Sequence, residues 1–269
     1  MIMRWTKMYK NEREYEILKL LSSEGYITVK QLSELLYTSE SSIRRDLTSL
    51  EHQGMVSRSY GGVSLVKNSS QVIPFSTRAH HNISAKKIIA AKAASLIQDG
   101  DIVFLDQSSS AFFVAYEILK KSNITVVTNN IEITSFLSQS DIEIISSGGI
   151  LSKANRNCLF GSDAHRAFEN IHANVLFFSA KALAPNGVIY DCVREEVCVR
   201  NAMMDNADKK VFLCDSEKFG QYAGYKQSTL DDIDHLITEN NNCEKLKQIS
   251  GYQNILYNSW FITKSKTIF

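Results

Sequence analysis

The stretch TVKQLSELLYTSESSIRRDLTSLEHQG, residues 28–54, decides how the chain begins. Thr28 stands three residues before Gln31, a T-x-x-Q capping box, with Ile27 and Leu32 spaced as a hydrophobic staple, so a helix starts here. Its inward face reads as Val29, Leu32, Leu35 and Leu36. A tight turn at Tyr37 and Thr38 follows, and Ser39 is placed to cap a further helix running to Gln53. With Ile43 at 0° and a step of about 100° per residue, Leu47 falls near about 40° and Leu50 near about 340°. Those three face a core. Ser41, Arg45, Thr48 and Ser49 fall between about 140° and 240°, on the opposite side, with Arg44 and Ser42 on the flanks.

An outward face of short hydroxyls and arginines suits a DNA major groove. Arg donates two bonds to guanine, Ser and Thr bond bases or phosphates, and small side chains let the helix approach. Entry by the helix N-terminus also brings backbone N–H groups toward phosphates. Upstream, Ile17, Leu18 and Leu21 share one face of a first helix, which Gly25 ends. Downstream, Gly54 stops the third helix, and 55–58 followed by Tyr60-Gly61-Gly62-Val63 fits a hairpin wing turning on two glycines. The unit reads as a winged helix-turn-helix whose candidate DNA contacts are Ser41, Ser42, Arg44, Arg45, Thr48, Arg58, Tyr60 and Gly61. An amphipathic helical subdomain has the same pattern, and residues 1–66 carry 9 basic against 8 acidic side chains. Pattern alone leaves both open.

Outward from this unit the texture changes. Residues 67–82 lose periodicity, gain Ser and Asn, hold Pro74, and read as a linker. Beyond it, apolar runs at 102–106, 124–128, 142–146, 175–179, 211–214 and 235–238 alternate with helical stretches near 84–98, 111–121, 131–139, 161–171 and 193–207. Near-continuous apolar strands alternating with helices predict a parallel α/β sheet covered on both faces. Two domains suit 269 residues, and 44% hydrophobic residues supply their cores.

Composition narrows the function. A net charge of +1 gives no global field toward nucleic acid, so DNA binding must rest on a local patch. No apolar run approaches the ~18–20 residues of a membrane span, and no apolar stretch follows the basic residues 1–10 as in a signal peptide. Five cysteines without a C-x-x-C pair suggest a reduced, cytoplasmic chain. The six histidines show no metal-ligand spacing, and no nucleophile elbow or Walker-type loop occurs. Neither metal, cofactor nor catalytic residue is expected.

In an open parallel sheet, ligands bind beyond the carboxyl ends of the strands. The first strand ends in Asp106-Gln107-Ser108-Ser109-Ser110 before a helix, where backbone N–H groups and three hydroxyls suit a phosphate. Ser110 as a plain N-cap explains that loop equally well. The second ends in Thr128-Asn129-Asn130, whose amides suit sugar hydroxyls or an Asx-turn. Gly148 and Gly149 permit positive φ or close ligand approach. Asp215 and Lys218 follow a late strand, Lys218 as a cation for phosphate or as a solvated surface group. Glu196 and Arg200 stand i,i+4, as a helix salt bridge would.

Ser39-Glu40-Ser41-Ser42-Ile43-Arg44-Arg45-Asp46-Leu47, then Leu50-Glu51-x-x-Gly54 and Tyr60-Gly61-Gly62-Val63, resembles the N-terminal signature of the DeoR family of bacterial transcriptional regulators. The resemblance continues through Pro74-Phe75-x-x-Arg78, Asn82-x-x-x-Lys86, Phe104-Leu105-Asp106, Val127-Thr128-Asn129, Gly148-Gly149 and Asp215-Ser216-Glu217-Lys218-Phe219-Gly220. It covers roughly residues 8–240 in order, which leaves 1–7 as an extension or a misassigned start.

This resemblance implies a repressor, or occasionally an activator, of carbohydrate genes. The implied architecture is a DNA-binding domain at 8–66, the linker at 67–82, and an effector-binding and oligomerisation domain at 83–245 with a ribose-5-phosphate-isomerase-like fold. The implied partners are a double-stranded operator, a phosphorylated sugar and further copies of the chain. Effector contacts then fall on Asp106, Ser108, Ser109, Ser110, Thr128, Asn129, Gly148, Gly149, Lys181, Glu196, Asp215 and Lys218. The sequence departs from the family at Tyr60, where His is usual, in its glycine-free Ser108-Ser109-Ser110 loop, and at Ser179-Ala180-Lys181, where many relatives carry Gly-x-Asp. The competing expectation is a sugar-phosphate isomerase using Asp106, Asp215 or Glu196 as acid or base; a regulator that has lost its effector is a third. The first 66 residues favour the regulator, since an isomerase needs no Ser/Arg-faced helix with a wing.

Overall fold

The computed structural model describes residues 10–52, 55–66, 73–153, 155–240, 244–250, 255–258 and 261–264, the last two as backbone. The expected helix end at Gln53 and Gly54, residues 67–72 of the expected linker, residues 1–7 and Cys243 lie outside the described residues. The chain forms two compact units, 1–81 and 82–269.

The first unit runs α1 (Lys10–Glu24), β1 (Tyr26–Thr28), α2 (Val29–Leu35), α3 (Glu40–His52), β2 (Val56–Ser59), β3 (Gly62–Leu65) and α4 (Phe75–His80). The capping box forms, Gln31 N donating to Thr28 Oγ1 at 3.2 Å and Thr28 N to Gln31 Oε1 at 2.9 Å. Ile17, Leu18, Leu21, Ile27, Leu32, Ile43, Leu47, Leu50 and Val63 make the core. Each such side chain contributes about 1.5–3 kcal/mol by leaving water.

Three expectations are corrected here. Leu35 is 53% exposed. On a helix this short, Val29 and Leu36 fall about 60° and 40° to one side of Leu32, and Leu35 about 60° to the other, the side turned to solvent. The wing turns on one glycine rather than two: Gly61 takes φ +87° beside Tyr60, whereas Gly62 is already the first residue of β3. Gly62 is small for packing, because a Cβ there would lie 2.4 Å from Cζ of Tyr26. Part of the expected linker is helical. Pro74 precedes α4, Phe75 and Thr77 are buried, and α4 packs on α1, with His81 Nδ1 2.6 Å from the Tyr15 hydroxyl.

The second unit contains α5 (Ile83–Ala94), β4 (Ile102–Leu105), α6 (Ser109–Ile118), β5 (Thr125–Thr128), α7 (Ile131–Leu137), β6 (Glu143–Ser146), β7 (Ile150–Leu151), β8 (Leu159–Phe160), α8 (Ser162–Glu169) and β9 (Ala173–Phe178). It continues with β10 (Ala182–Leu183), β11 (Val188–Asp191), α9 (Arg194–Asp205), β12 (Ala207–Leu213), β13 (Tyr225–Thr229), β14 (His235–Ile237), α10 (Glu244–Lys247), β15 (Ile255–Asn258) and β16 (Phe261–Lys264). The main sheet has the order β15-β16-β14-β12-β9-β4-β5-β6. All six expected strands are in it, mutually parallel, with β16 added antiparallel to β14 and β15 antiparallel to β16 at the edge. Side chains alternate across β4: Val103 and Leu105 enter one core layer with Ile89, Val114 and Val126, while Phe104 enters the other with Phe168, Val199 and Phe212. A small antiparallel sheet, β10-β11-β13, and the β7–β8 hairpin complete the unit.

Candidate functional site

In the first unit, Ile43, Leu47 and Leu50 are fully buried and hold α3 by one face. Asp46 is buried beside them and accepts from Nε and Nη2 of Arg13, the latter at 3.1 Å. That ion pair anchors α3 to α1. Ser41, Arg44, Arg45 and Thr48 project outward as the helical period requires. Arg44 pairs with Glu40 at 2.9 Å and Arg58 with Glu51 at 2.6 Å. Hydrogen bonding from Arg58 lowers the Glu51 pKa from its ordinary value. Thr48 donates back to the Arg44 carbonyl at 2.8 Å, and Ser42 Oγ lies 3.0 Å from Ser39 Oγ. Arg45 has no carboxylate partner among the described residues; it reaches only Ser41 O and Ser42 Oγ, at 3.4 and 3.5 Å. Tyr60 stands fully exposed at the wing tip.

In the second unit, the carboxyl ends of β4, β5, β9 and β12 lie side by side, and α9 closes beneath them. Asp106 follows β4 and is fully buried. Its carboxylate accepts from Ser108 N at 3.0 Å, Ser179 N at 3.2 Å and Arg200 Nε at 3.0 Å. Arg200 also reaches Asp191 at 2.9 Å and Gln227 at 2.7 Å, so it ties β4 to the small sheet. Burial disfavours its charge, but Asp191, Asp106 and, less strongly, Glu196 outweigh that and raise its pKa above the ordinary value.

Beside this lies a cationic corner. Lys218 Nζ donates to Ser179 Oγ at 2.7 Å and lies 3.4 Å from Asp215. Burial favours the neutral form of Asp215, yet Lys218 and Lys86 together outweigh it and lower the carboxyl's pKa. On the other side of β4, Glu196 accepts from Gln107 Nε2 at 2.9 Å and Asn155 Nδ2 at 2.8 Å. Asn129 Nδ2 donates to the Leu159 carbonyl at 3.1 Å. The arrangement can hold an anion at its Lys218 end and polar groups along the buried amides.

A DeoR-like helix-turn-helix domain matches residues 13–69, and a DeoR C terminal sensor domain matches residues 81–240. The chain belongs to the DeoR family of transcriptional regulators. It is 34% identical over 234 residues to the HTH-type transcriptional regulator GolR of Listeria innocua, covering 87% of this chain and 92% of GolR. It is 33% identical over 233 residues to the HTH-type transcriptional repressor GlcR of Bacillus subtilis, covering 86% and 89%. A ribose 5-phosphate isomerase A of Methanocaldococcus jannaschii aligns over 49% of this chain and 52% of its own, at 15% identity and a TM-score of 0.38. A DeoR-family regulator binds DNA through its helix-turn-helix and a small-molecule effector through its sensor domain. The relatives it matches are transcriptional regulators rather than enzymes, so the competing isomerase expectation falls.

Within this DeoR-family sensor domain, several expected residues have structural duties. Ser108, not Ser110, is the N-cap of α6, accepting from Ala111 N at 3.0 Å. Ser109 and Ser110 are buried in the first turn. Thr128 donates to the Leu105 carbonyl at 2.7 Å and accepts from Asn130 N at 3.0 Å, joining β5 to β4. Asn130 caps α7. Gly149 is required by packing, since a Cβ would lie 2.5 Å from the Phe160 carbonyl oxygen, whereas Gly148 borders open space. Lys181 is exposed on the chain leading to β10. The ion pairs of Arg200 run to Asp106 and Asp191, not along the helix to Glu196. Sequence reasoning passed over Lys86, Gln107, Asn155, Ser179 and Gln227, all buried polar residues of this network. Gln107 lies within the flagged loop, and Lys86 and Ser179 stand in segments compared with the family without being assigned a role; Asn155 and Gln227 carry no local signal.

Proposed function

We propose that this DeoR-family regulator is a cytoplasmic, homo-oligomeric repressor of carbohydrate genes whose operator affinity is set by a phosphorylated sugar. Double-stranded DNA is contacted by Ser41, Ser42, Arg44, Arg45, Thr48, Arg58, Tyr60 and Gly61. One helix-turn-helix offers few base contacts, so selectivity requires repeated half-sites and more than one copy. The sugar phosphate lies beyond the carboxyl ends of β4, β5, β9 and β12. The observation that carries this reading is Lys218, a cation held by Ser179 at 2.7 Å on a strand-end edge that also bears the start of α6. Lys218 neutralises the phosphate, while Ser108, Ser109, Ser110 and the α6 amides satisfy its lone pairs. Asp106, Asn129, Glu196 and Asp215 face or support the sugar; Thr128 and Gly149 shape the floor, and Gly148 and Lys181 the rim. The four described cysteines outside disulfides suit a reducing cytoplasm.

The test is a thermal-shift screen of phosphorylated sugars on the full chain, followed by release of a labelled operator. A ligand at 100 times its Kd stabilises by ~2.7 kcal/mol. The reading is overturned if no phosphorylated sugar both raises the melting temperature and changes operator affinity.

A further inference from the structure

Four side chains beneath the strand ends form one hydrogen-bonded chain of fixed polarity. Glu196 is its centre, with Oε2 accepting from Gln107 Nε2 at 2.9 Å and Oε1 from Asn155 Nδ2 at 2.8 Å. A carboxylate accepts and does not donate, so both amides must turn nitrogen toward Glu196 and oxygen away. Gln107 Oε1 then faces Asn129 Nδ2 at 3.5 Å, and that same nitrogen donates to the Leu159 carbonyl at 3.1 Å. Asn129 is thereby oriented twice over. Two oxygens are left. Oδ1 of Asn129 and Oδ1 of Asn155 are buried, on residues 0% and 1% exposed, and neither has a hydrogen-bond partner among the described residues. A buried acceptor without a donor is costly, and only a donor relieves it.

We infer that Asn129 and Asn155 are a hydroxyl-reading subsite, taking donor groups from a polyol chain and rejecting its phosphate. Phosphate oxygens are acceptors and would meet acceptors here. Gln107 and Glu196 act as positioning residues that set the amide polarity. The inference rests on the proposed effector site and fixes the ligand's direction within it. Lys218 is bonded to Ser179 at the end of β9, and Asn129 follows β5, with β4 between them. Two strand spacings separate these ends, about 10 Å. The phosphate therefore points toward β9 and β12, and the hydroxylated tail toward β5.

Calorimetric titration of the full wild-type chain separates the parts. The probes are pentitols and hexitols, their terminal monophosphates, inorganic phosphate, and hydroxyalkyl phosphates of equal length without internal hydroxyls. A polyol phosphate is expected to bind at least about tenfold tighter than its hydroxyl-free counterpart, the equivalent of one lost hydrogen bond. Asn155→Ala is expected to abolish that preference while leaving the hydroxyalkyl phosphate's affinity unchanged, and Glu196→Gln to reduce the preference, because a glutamine at 196 can donate and frees the amides to turn. Equal affinity of polyol and hydroxyalkyl phosphates overturns the subsite and leaves the two oxygens to a trapped water; the phosphate reading then stands. Equal affinity of polyols with and without phosphate keeps the subsite and removes the phosphate reading. Binding of no polyol, phosphorylated or free, overturns the subsite, and the phosphate reading is then decided by the sugar-phosphate screen.

Discussion

Arg200 Nε lies 3.0 Å from Asp106 Oδ2, and Arg200 Nη1 lies 2.9 Å from Asp191 Oδ2, with the guanidinium 1% exposed. Removing it strands two carboxylates in a buried site. Arg200→Leu is expected to cost about 3–5 kcal/mol of unfolding free energy, measured by urea titration. Arg200→Lys should recover little, because an ammonium cannot fork across both carboxylates and Gln227. A loss under about 1 kcal/mol for the Leu variant would place the pair at no net value.

The Asp215 carboxyl gives a pH signature. Its folded pKa is lowered from 3.8, so the unfolded chain takes up a proton first. The stabilisation is whole above pH 3.8 and drains away as pH falls through the lower folded value. Asp215→Asn should be less stable than wild type near neutrality and converge with it in acid. A gap that stays constant into acid would assign the loss to packing.

Lys218→Ala should leave operator binding in the absence of effector intact and blunt release by phosphorylated sugar. Charge-assisted hydrogen bonds contribute roughly 1.5–3 kcal/mol, or about one to two decades in Kd. Lys86 remains to pair with Asp215 in the variant. Ser109→Ala should do less, since neighbouring hydroxyls and the helix start persist. Effector-induced release of labelled operator measures both. Release at the wild-type concentration by Lys218→Ala would remove Lys218 from the effector site and make Lys181 the next cation to test.

Among the described residues, Arg45 is the arginine of α3 without a carboxylate partner, which leaves it available for the proposed base contact. Arg45→Ala should weaken operator binding by ~1–3 kcal/mol and relax base preference. Gel-shift titrations on operator and scrambled duplexes at fixed salt check this. Equal loss on both would confine Arg45 to phosphate.

Gly62 tests the wing. Gly62→Ala drives a methyl to 2.4 Å from the Tyr26 ring and 2.8 Å from the Ile27 carbonyl oxygen. Overpacking of this kind costs about 1–3 kcal/mol. Tyr26→Ser in the same chain should recover the ring's share and not the carbonyl's, a partial rescue visible in thermal melts.

The parts of this molecule that could be read from sequence are those whose neighbours are close in sequence or identical in kind. The inner strands stood out because both faces of the sheet are covered there and their residues are mostly apolar, as in Val103-Phe104-Leu105, whereas the edge strand β6 bears exposed Glu143 and Ser146 and showed itself by Ile144 and Ile145. The α3 faces followed from helical period alone. The strands β10, β11 and β13 did not stand out, since residues such as Tyr225 and Lys226 are exposed and polar-flanked. Helix α4 hid behind Ser, Thr and His, and it buries Phe75 and Thr77 as it packs beside α1. Of the site, strand-end positions were legible and partnerships were not. Arg200 and Asp106 are 94 residues apart, and nothing local to either names the other.

Strand β1 is three residues long, yet Thr28 both pairs with Gly62 of the wing and caps α2, while Asp46 of α3 is held by Arg13 of α1. Anyone retargeting this regulator to a new operator inherits that wiring. A transplanted α3 alone would have to match the sockets for Ile43, Leu47 and Leu50 and keep an aspartate for Arg13. A graft spanning residues 13–65 carries its buried ion pair, its cap and its three-residue strand with it. Specificity is portable here as a cassette, and not as a helix.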